Sequence, residues 1–374
     1  MIISRLQLEN FRNYKDLDIN FSENLNVIHG NNGLGKTNIL EALFLCASGK
    51  SHRTNKDIEL INYEKKNFTV TIAIEKDISS DIQIIYNRDR QKIIKVNGLC
   101  VRKTGQLLGN LLAVLFSPED MMLINEGPSQ RRKFIDIAIS QLKPSYYFDL
   151  QQYNKIVSQK NALLREVKRN PKNKETIEVW NANIVEYGSK IIYARINFIK
   201  KLAEIAKEKH MYITDQKECL NIEYINSFEI NDILSITEIE DIKFEFSNIL
   251  VKYLSKELER EQCLFGPHRD EVNFILDGTD LKKYGSQGQK RTAILASKIS
   301  ELEIMLSQTG RTPILLLDDV LSELDKDRQF KLLKYASTVQ TFITSVDSIE
   351  LKNNEISSLC NFSFLNSKLY KQED

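Results

Sequence analysis

The chain lacks most of what would mark a secreted, membrane-spanning or metal-storing protein. Its five cysteines (Cys46, Cys100, Cys219, Cys263, Cys360) are scattered, with no C-x-x-C pair and no histidine at ligand spacing. Neither a disulfide framework nor a zinc site is indicated, and a reducing cytosol suits such a chain. Long apolar runs are missing too: the most apolar internal stretch, residues 107–116, is too short to span a bilayer. The first residues, MIISRLQLENF, alternate like a strand and carry no signal-peptide core. A soluble, cytoplasmic protein with no membrane partner is expected. Net charge is almost absent, +1 over 374 residues, and by itself says nothing about a polyanionic partner.

Charge is instead segregated along the chain. Residues 131–210 carry 17 Lys and Arg against 8 Asp and Glu, whereas residues 211–262 carry 5 against 12. A merely soluble face mixes both signs. The basic surplus therefore reads either as a nucleic-acid surface or as a solvated face, and the acidic strip either repels a polyanion or attracts a basic partner.

The most informative run present is Gly30-Asn31-Asn32-Gly33-Leu34-Gly35-Lys36-Thr37. It lies between an apolar strand (Leu25, Val27, Ile28) and a helix opening at Asn38-Ile39-Leu40-Glu41-Ala42. It fits G-x-x-x-x-G-K-[ST], a P-loop whose backbone N–H groups turn inward around phosphate oxygens, with Lys36 reaching the phosphates. Such a loop needs a carboxylate to hold Mg²⁺, and Ile314-Leu315-Leu316-Leu317-Asp318-Asp319 has the Walker B form. Asp318 is expected to bind the metal, directly or through water, with the Thr37 hydroxyl on the same ion. Asp319 is expected to face the attacking water as general base or polarising acceptor. Taken alone, two acids after a buried strand also suit the start of an ordinary loop; together with the P-loop they read as one nucleotide site.

Residues 1–116 read mainly as strands, at 2–8, 25–28, 68–75, 82–86 and 93–96, with Asn97-Gly98 as a hairpin turn. From Pro144 the period becomes helical through Leu150, Tyr153, Val157, Leu164 and Val167, until Arg169-Asn170-Pro171-Lys172-Asn173 breaks it. It resumes at Trp180, Ile184, Tyr187, Ile191, Ala194, Phe198, Leu202 and Ile205. This predicts a helical hairpin whose apolar stripe is helix-against-helix core, with arms of roughly 25 to 30 residues, about 40 Å long. After Glu261 the α/β pattern returns, with an amphipathic helix at 297–306, a strand covered on both faces at 314–317 and another at 339–343. Tyr284-Gly285-Ser286-Gln287-Gly288-Gln289-Lys290-Arg291 opens a helix, where Ser286 and free N–H groups form an anion site. Roughly 280 residues separate the P-loop from Asp318, more than a compact domain requires. The expected fold is α/β: a discontinuous head of mixed sheet and helices at 1–118 and 262–374, with a mainly helical lobe inserted at 119–261.

In order, these pieces resemble the ABC-type ATPases: P-loop, S-x-G-Q signature, Walker B, then a D-loop at Ser322-Glu323-Leu324-Asp325. Within that class the chain resembles the RecF family of SMC-like ATPases. The resemblance is carried by Leu8-Glu9-Asn10-Phe11-Arg12-Asn13-Tyr14, PEDMMLINEGPSQRRKFID (118–136), Gly266-Pro267-His268-Arg269-Asp270, Ser286-Gln287-Gly288-Gln289 and LLDDVLSELDKDRQFKLL (316–333). It implies ATP and Mg²⁺ as cofactors and an ATP-dependent homodimer. Residues 30–37, with Asn38 and Arg12, would hold nucleotide on one copy, and Ser286, Gly288 and Gln289 would meet it from the other. It also implies slow DNA-stimulated hydrolysis and binding of single- and double-stranded DNA, gapped duplex and ss/ds junctions. RecR, RecO and RecA are the implied partners, in repair, replication and the SOS response. Arg131, Arg132 and Lys133 are candidate DNA contacts, with docking of the lobe onto the head as the structural alternative.

The signature lacks the Leu and first Gly of transporter LSGGQ. No histidine follows 339–343 where a transporter carries its switch; Thr344 or Ser345 takes that place. Ser117 and Glu119 stand near the Q-loop position without a glutamine, and His268 and Arg269 read as structural or interface residues. A transporter subunit is disfavoured by the lobe and the missing switch histidine. A nuclease carrying such a head would need a second acidic metal cluster, and the sequence offers none.

Overall fold

The computed structural model describes residues 1–75, 79–169, 175–228, 233, 236, 238–347, 359–365 and 368–371. The chain forms two compact units, Met1–Asp120 with Lys298–Asp374, and Met121–Ser297. The first division falls near the expected one. The second does not: residues 262–297, expected with the head, pack with the inserted unit, and the change of unit falls inside a helix.

In the first unit, β1 (Ile2–Phe11), β2 (Tyr14–Asn20), β4 (Asn67–Glu75), β5 (Ser80–Asn87), β6 (Arg90–Val96) and β7 (Leu99–Val101) form an antiparallel sheet of order β2-β1-β4-β5-β6-β7. One face is buried, as the strict alternation along β4 requires. The β6–β7 turn at Asn97-Gly98 has positive φ at both residues, the hairpin geometry expected from the dipeptide.

The second sheet of this unit has the order β15-β14-β3-β13-β12-β8 and is parallel except for β15. Its strands are β3 (Leu25–His29), β8 (Ala113–Phe116), β12 (Ile314–Asp318), β13 (Thr341–Ser345), β14 (Leu359–Leu365) and β15 (Lys368–Lys371). Every residue of β8 and β12 is buried, which is why both read as unbroken apolar runs. Strand β13 lies between β3 and β12, pairing Thr344 with Ile28 on one side and with Asp318 on the other. Helix α1 (Lys36–Ser48) leaves β3 and touches β4 and β5 of one sheet and β8, β12 and β13 of the other. It is apolar nearly all round because it is covered nearly all round.

The second unit contains α2 (Met122–Asn125), α3 (Pro128–Leu142), α4 (Pro144–Arg169), α5 (Ile177–Ile213), α6 (Ile239–Lys252), α7 (Leu254–Arg260) and α8 (Leu281–Tyr284). A small antiparallel sheet, β9 (Leu220–Ile225), β10 (Glu271–Leu276) and β11 (Thr279–Asp280), completes it together with the start of α9 (Gln287–Thr309). Helices α4 and α5 pack together as the expected hairpin, with Tyr153, Leu164, Ile184, Ile191, Phe198 and Leu202 buried. The second arm, at 37 residues, is longer than expected. Beyond Arg169 the expected break at 170–173 lies outside the described residues. Pairing of β9 with β10 ties residues 271–276 into this unit, which explains why the return to the first unit comes only at Lys298.

Two buried cations in this unit are closed into ion pairs. Arg195 donates to Asp136 at 2.9 Å and to the Pro267 carbonyl at 2.6 Å, and Lys160 donates to Glu257 at 2.6 Å with both side chains fully buried. Buried ions persist only when paired in this way.

Candidate nucleotide site and signature helix

The residues expected to cradle phosphate form the loop between His29 at the end of β3 and Lys36 at the start of α1. Gly35 has φ 107°, and a Cβ there would lie 2.5 Å from the Asn13 carboxamide, so only glycine fits. The loop is braced from outside. Asn13 Nδ2 donates to the Leu34 carbonyl at 2.8 Å, Asn38 Nδ2 donates to Asn13 Oδ1 at 2.8 Å, and the Tyr14 hydroxyl donates to the Gly35 carbonyl at 3.1 Å. Asn31, Asn32 and Gly33 are exposed. Lys36 Nζ folds back onto the carbonyls of Gly30 and, at 3.0 Å, Asn31. Burial lowers its pKa, and the charges of Asp319 and Asp318 oppose that shift.

Asp318 stands at the carboxyl end of β12. Its Oδ1 accepts from Thr37 Oγ1 at 2.9 Å and from Thr344 Oγ1 at 2.7 Å. Burial raises its pKa, and these two hydroxyl bonds pull the other way. The next residue, Asp319, turns left-handed (φ 52°), and its N–H donates to Thr344 Oγ1 at 2.9 Å. Thr344, one of the two residues in the place of a transporter's switch histidine, orients the two acids through its hydroxyl. The adjoining Thr37 hydroxyl and Asp318 carboxylate are hard oxygen donors that fit Mg²⁺, which completes its shell with water and phosphate oxygens. Among the described residues no cluster of three His, Cys, Asp or Glu side chains forms a ready-made metal cage.

Arg12 is placed differently from expectation. Its guanidinium donates to both oxygens of Glu41, at 2.8 and 2.7 Å, and to the Glu59 carbonyl at 2.9 Å. Glu41 is fully buried on α1 and also receives the Ser51 hydroxyl, with Arg53 at 3.6 Å. A carboxylate inside an apolar helix face must be neutralised there, and that need claims Arg12.

In the second unit, Ser286 caps α9. Its backbone N–H donates to Gln289 Oε1 at 2.9 Å, and its Oγ accepts from the Gln289 N–H at 3.2 Å, a reciprocal capping box. Gln289 Nε2 goes on to Glu218 at 3.0 Å, so Gln289 shapes the helix start, while Ser286 stays exposed and Gly288 half-exposed. At Gly285 a Cβ would meet the Leu281 carbonyl at 2.6 Å, which accounts for the glycine before the cap.

The candidate DNA contacts require correction. Arg131, only 5% exposed, donates to Glu271 through Nε and Nη2 at 2.7 Å each, and through Nη1 to the carbonyls of Leu123 and Glu126. Arg132 donates to the Asp270 carbonyl at 2.7 Å. Both dock α3 onto the β10 region of their own unit, Arg131 buried and Arg132 half-buried; Lys133 alone of the three is exposed. His268 bonds the Tyr153 hydroxyl at 2.7 Å, and Arg269 donates to the Cys263 carbonyl, so both are structural here. Near the Q-loop position, Asp120 caps Ser117 and pairs with Lys298 at 3.0 Å, while Glu119 is exposed.

Sequence reasoning missed the roles of Asn13 and Glu41. An acid in the midst of an apolar helix was the available signal for Glu41.

The family model for the RecF/RecN/SMC N terminal domain matches residues 2–364. The DNA replication and repair protein RecF of Acetivibrio thermocellus is 49% identical over 354 residues, covering 94% of this chain and 95% of that one. The chain belongs to the RecF family. A solved structure of the recombination mediator protein RecF with ATP, in the RecFOR pathway, superposes with a TM-score of 0.91 at 38% identity, covering all of this chain and 98% of that one. The Smc head domain of Pyrococcus furiosus, at 17% identity and a TM-score of 0.56, shares the fold. The RecF-family fold is thus an SMC-like ABC ATPase fold, as expected.

Proposed function

We propose that the chain is an ATP-dependent DNA-binding protein of recombinational repair and replication, two copies of which close on each other around ATP. The observation that carries this reading is the meeting of Thr37 and Asp318, 281 positions apart in sequence, at 2.9 Å beside the phosphate cradle. The ATP-bound RecF relative supports ATP as the ligand.

In this reading Lys36 exchanges its loop carbonyls for phosphate oxygens. Thr37 and Asp318 would hold Mg²⁺, which would neutralise phosphate charge. Asp319 orients the attacking water and accepts its proton, and the exposed Ser286 at the start of α9 meets the γ-phosphate held by the other copy, aided by the helix dipole. ADP lacks the group that Ser286 recognises, and that differential contact makes ATP a switch. Moving a population from mostly open to mostly closed takes about 5.5 kcal/mol, shared between two symmetric sites. Hydrolysis is slow, is stimulated by DNA and resets the dimer. DNA, including gapped duplex and ss/ds junctions, is held through backbone phosphates without base readout. RecO and RecR, with RecA downstream, are the partners that the relative's RecFOR pathway suggests, and the cytosol is the expected location.

The test is to size the protein with ADP and with ATP, with and without gapped duplex. ATP should shift wild type to a dimer, and Lys36→Arg should weaken the shift. Asp319→Asn should trap the closed form, and Ser286→Arg should bind ATP yet stay monomeric. Equal behaviour of all four proteins would defeat the reading.

A further inference from the structure

Two loops meet at one end of the antiparallel sheet in the first unit. Residues 62–66, which lead into β4, adjoin the β5–β6 turn at 87–90: Asn67 pairs with Asn87, and the Arg88 N–H donates to the Lys66 carbonyl at 2.9 Å. Together the two loops hold four cations against two acids, Glu64 and Asp89, whereas residues 75–81, which join β4 to β5 at the other end, hold one against three. Lys65, Lys66 and Arg88 are exposed, and their side chains make no hydrogen bond or ion pair among the described residues. Further along β6, Lys92 is by contrast spent on Asp57 at 3.0 Å.

Tyr63, 96% exposed, stands in the first of these loops. A ring so placed buries almost no area and contributes little to the fold, yet the backbone that carries it is held. The Asn62 N–H donates to the Asn10 carbonyl and Asn62 Nδ2 to the Arg12 carbonyl, both at 2.8 Å, and the Lys65 N–H closes the turn on the Asn62 carbonyl at 2.9 Å. Arg12 is followed by Asn13, which braces Leu34 of the P-loop, so the turn is tied to the surroundings of the expected nucleotide site. Cations with unspent donors beside a solvent-facing aromatic ring suit a polyanion that also offers flat bases.

We propose that this end of the sheet grips DNA at a ss/ds junction, with Lys65, Lys66 and Arg88 on backbone phosphates and Tyr63 stacked on an unpaired base. The inference rests on the DNA-binding reading above and gives that reading a surface in the first unit. The cations supply affinity that falls with salt, without base readout. Stacking tolerates any sequence but needs a base freed from its pair, so Tyr63 separates gapped from intact duplex.

The test uses the full chain with a non-hydrolysable ATP analogue. Fluorescence anisotropy over a salt series gives affinities for a gapped and for an intact duplex, in wild type, Tyr63→Ala, Tyr63→Phe and the triple variant Lys65→Gln, Lys66→Gln, Arg88→Gln. These side chains are exposed, so melting temperatures should stay within about two degrees of wild type. Tyr63→Ala, which changes no charge, should weaken gapped-duplex binding about tenfold and intact-duplex binding less than about twofold, and Tyr63→Phe should bind as wild type. The triple variant should weaken both and flatten the log–log salt slope by about 2 to 3. An equal effect of Tyr63→Ala on the two duplexes, or an unchanged slope in the triple variant, would overturn the inference and leave the DNA-binding reading standing. A wild type that holds neither duplex would sink that reading, and this surface with it.

Discussion

At the carboxyl ends of β3 and β12 in the first unit, polar groups are held in place yet left partly unspent. Lys36 rests on two carbonyls, and Asp318 makes both of its hydroxyl bonds through one carboxylate oxygen. In the second unit the corresponding groups are used up: Arg195 on Asp136, Lys160 on Glu257, and Arg131 on Glu271. At these positions the first unit holds groups available for a ligand, while the named charges of the second are spent on architecture, as Arg12 and Glu41 are in the first. A surplus of basic residues in a sequence is therefore not a surplus of available cations, as the buried and paired Arg131 shows.

The largest expected effect tests the architectural side. Arg195→Met should strand Asp136 and the Pro267 carbonyl and cost about 3–5 kcal/mol in urea unfolding; a loss below about 1 kcal/mol would break the comparison. Acid should come next, with opposite signs in the two units. His268 in the second unit titrates at about 4 when folded and near 6.5 when unfolded. The unfolded chain therefore takes the proton first, and stability present above pH 6.5 is lost as pH falls toward 4, on the order of 3 kcal/mol. Glu301 in the first unit titrates at about 7, above its ordinary 4.5. Its contribution is fully present below pH 4.5 and lost as pH rises through 7. The single tryptophan, Trp180, reports the second unit. Its fluorescence should register acid unfolding that His268→Gln flattens, and an unchanged urea midpoint between pH 7 and 4.5 would count against the buried His268.

Thr344→Val probes the first unit at its centre. It removes the hydroxyl that donates to Asp318 and accepts from the Asp319 N–H. It should cost about 1–2 kcal/mol of stability and slow ATP turnover roughly tenfold, read in a steady-state assay. The smallest effect belongs to Lys133→Ala: stability within about 0.5 kcal/mol and a log–log salt slope for duplex binding flatter by no more than about 0.9. A larger change would mean that Lys133 does more than contact one phosphate.

Legibility followed the range of the interactions. The P-loop, β12 and the hairpin helices are written in adjacent residues, as glycine spacing, apolar runs and a period of three to four. Strand β2 is hard to read from sequence: Tyr14, Leu17 and Ile19 are buried, but the period of two is broken between Tyr14 and Leu17, and Lys15, Asp16 and Asp18 dilute the apolar signal. The fates of Arg131 and Arg12 hang on Glu271 and Glu41, 140 and 29 positions away. No local pattern encodes those meetings. The later division between units falls within α9, where composition does not change, so no linker marked it.

The left-handed turn at Asp319 decides which mutational probe of that position is clean. Asparagine is isosteric with aspartate and among the residues most at ease with positive φ, so Asp319→Asn alters charge while sparing the main chain. Alanine at the same place adds conformational strain of about 1 kcal/mol or more, next to the Asp318 carboxylate. An inactive alanine variant would therefore blur a lost proton acceptor with a displaced Asp318, and only the asparagine variant isolates the chemistry.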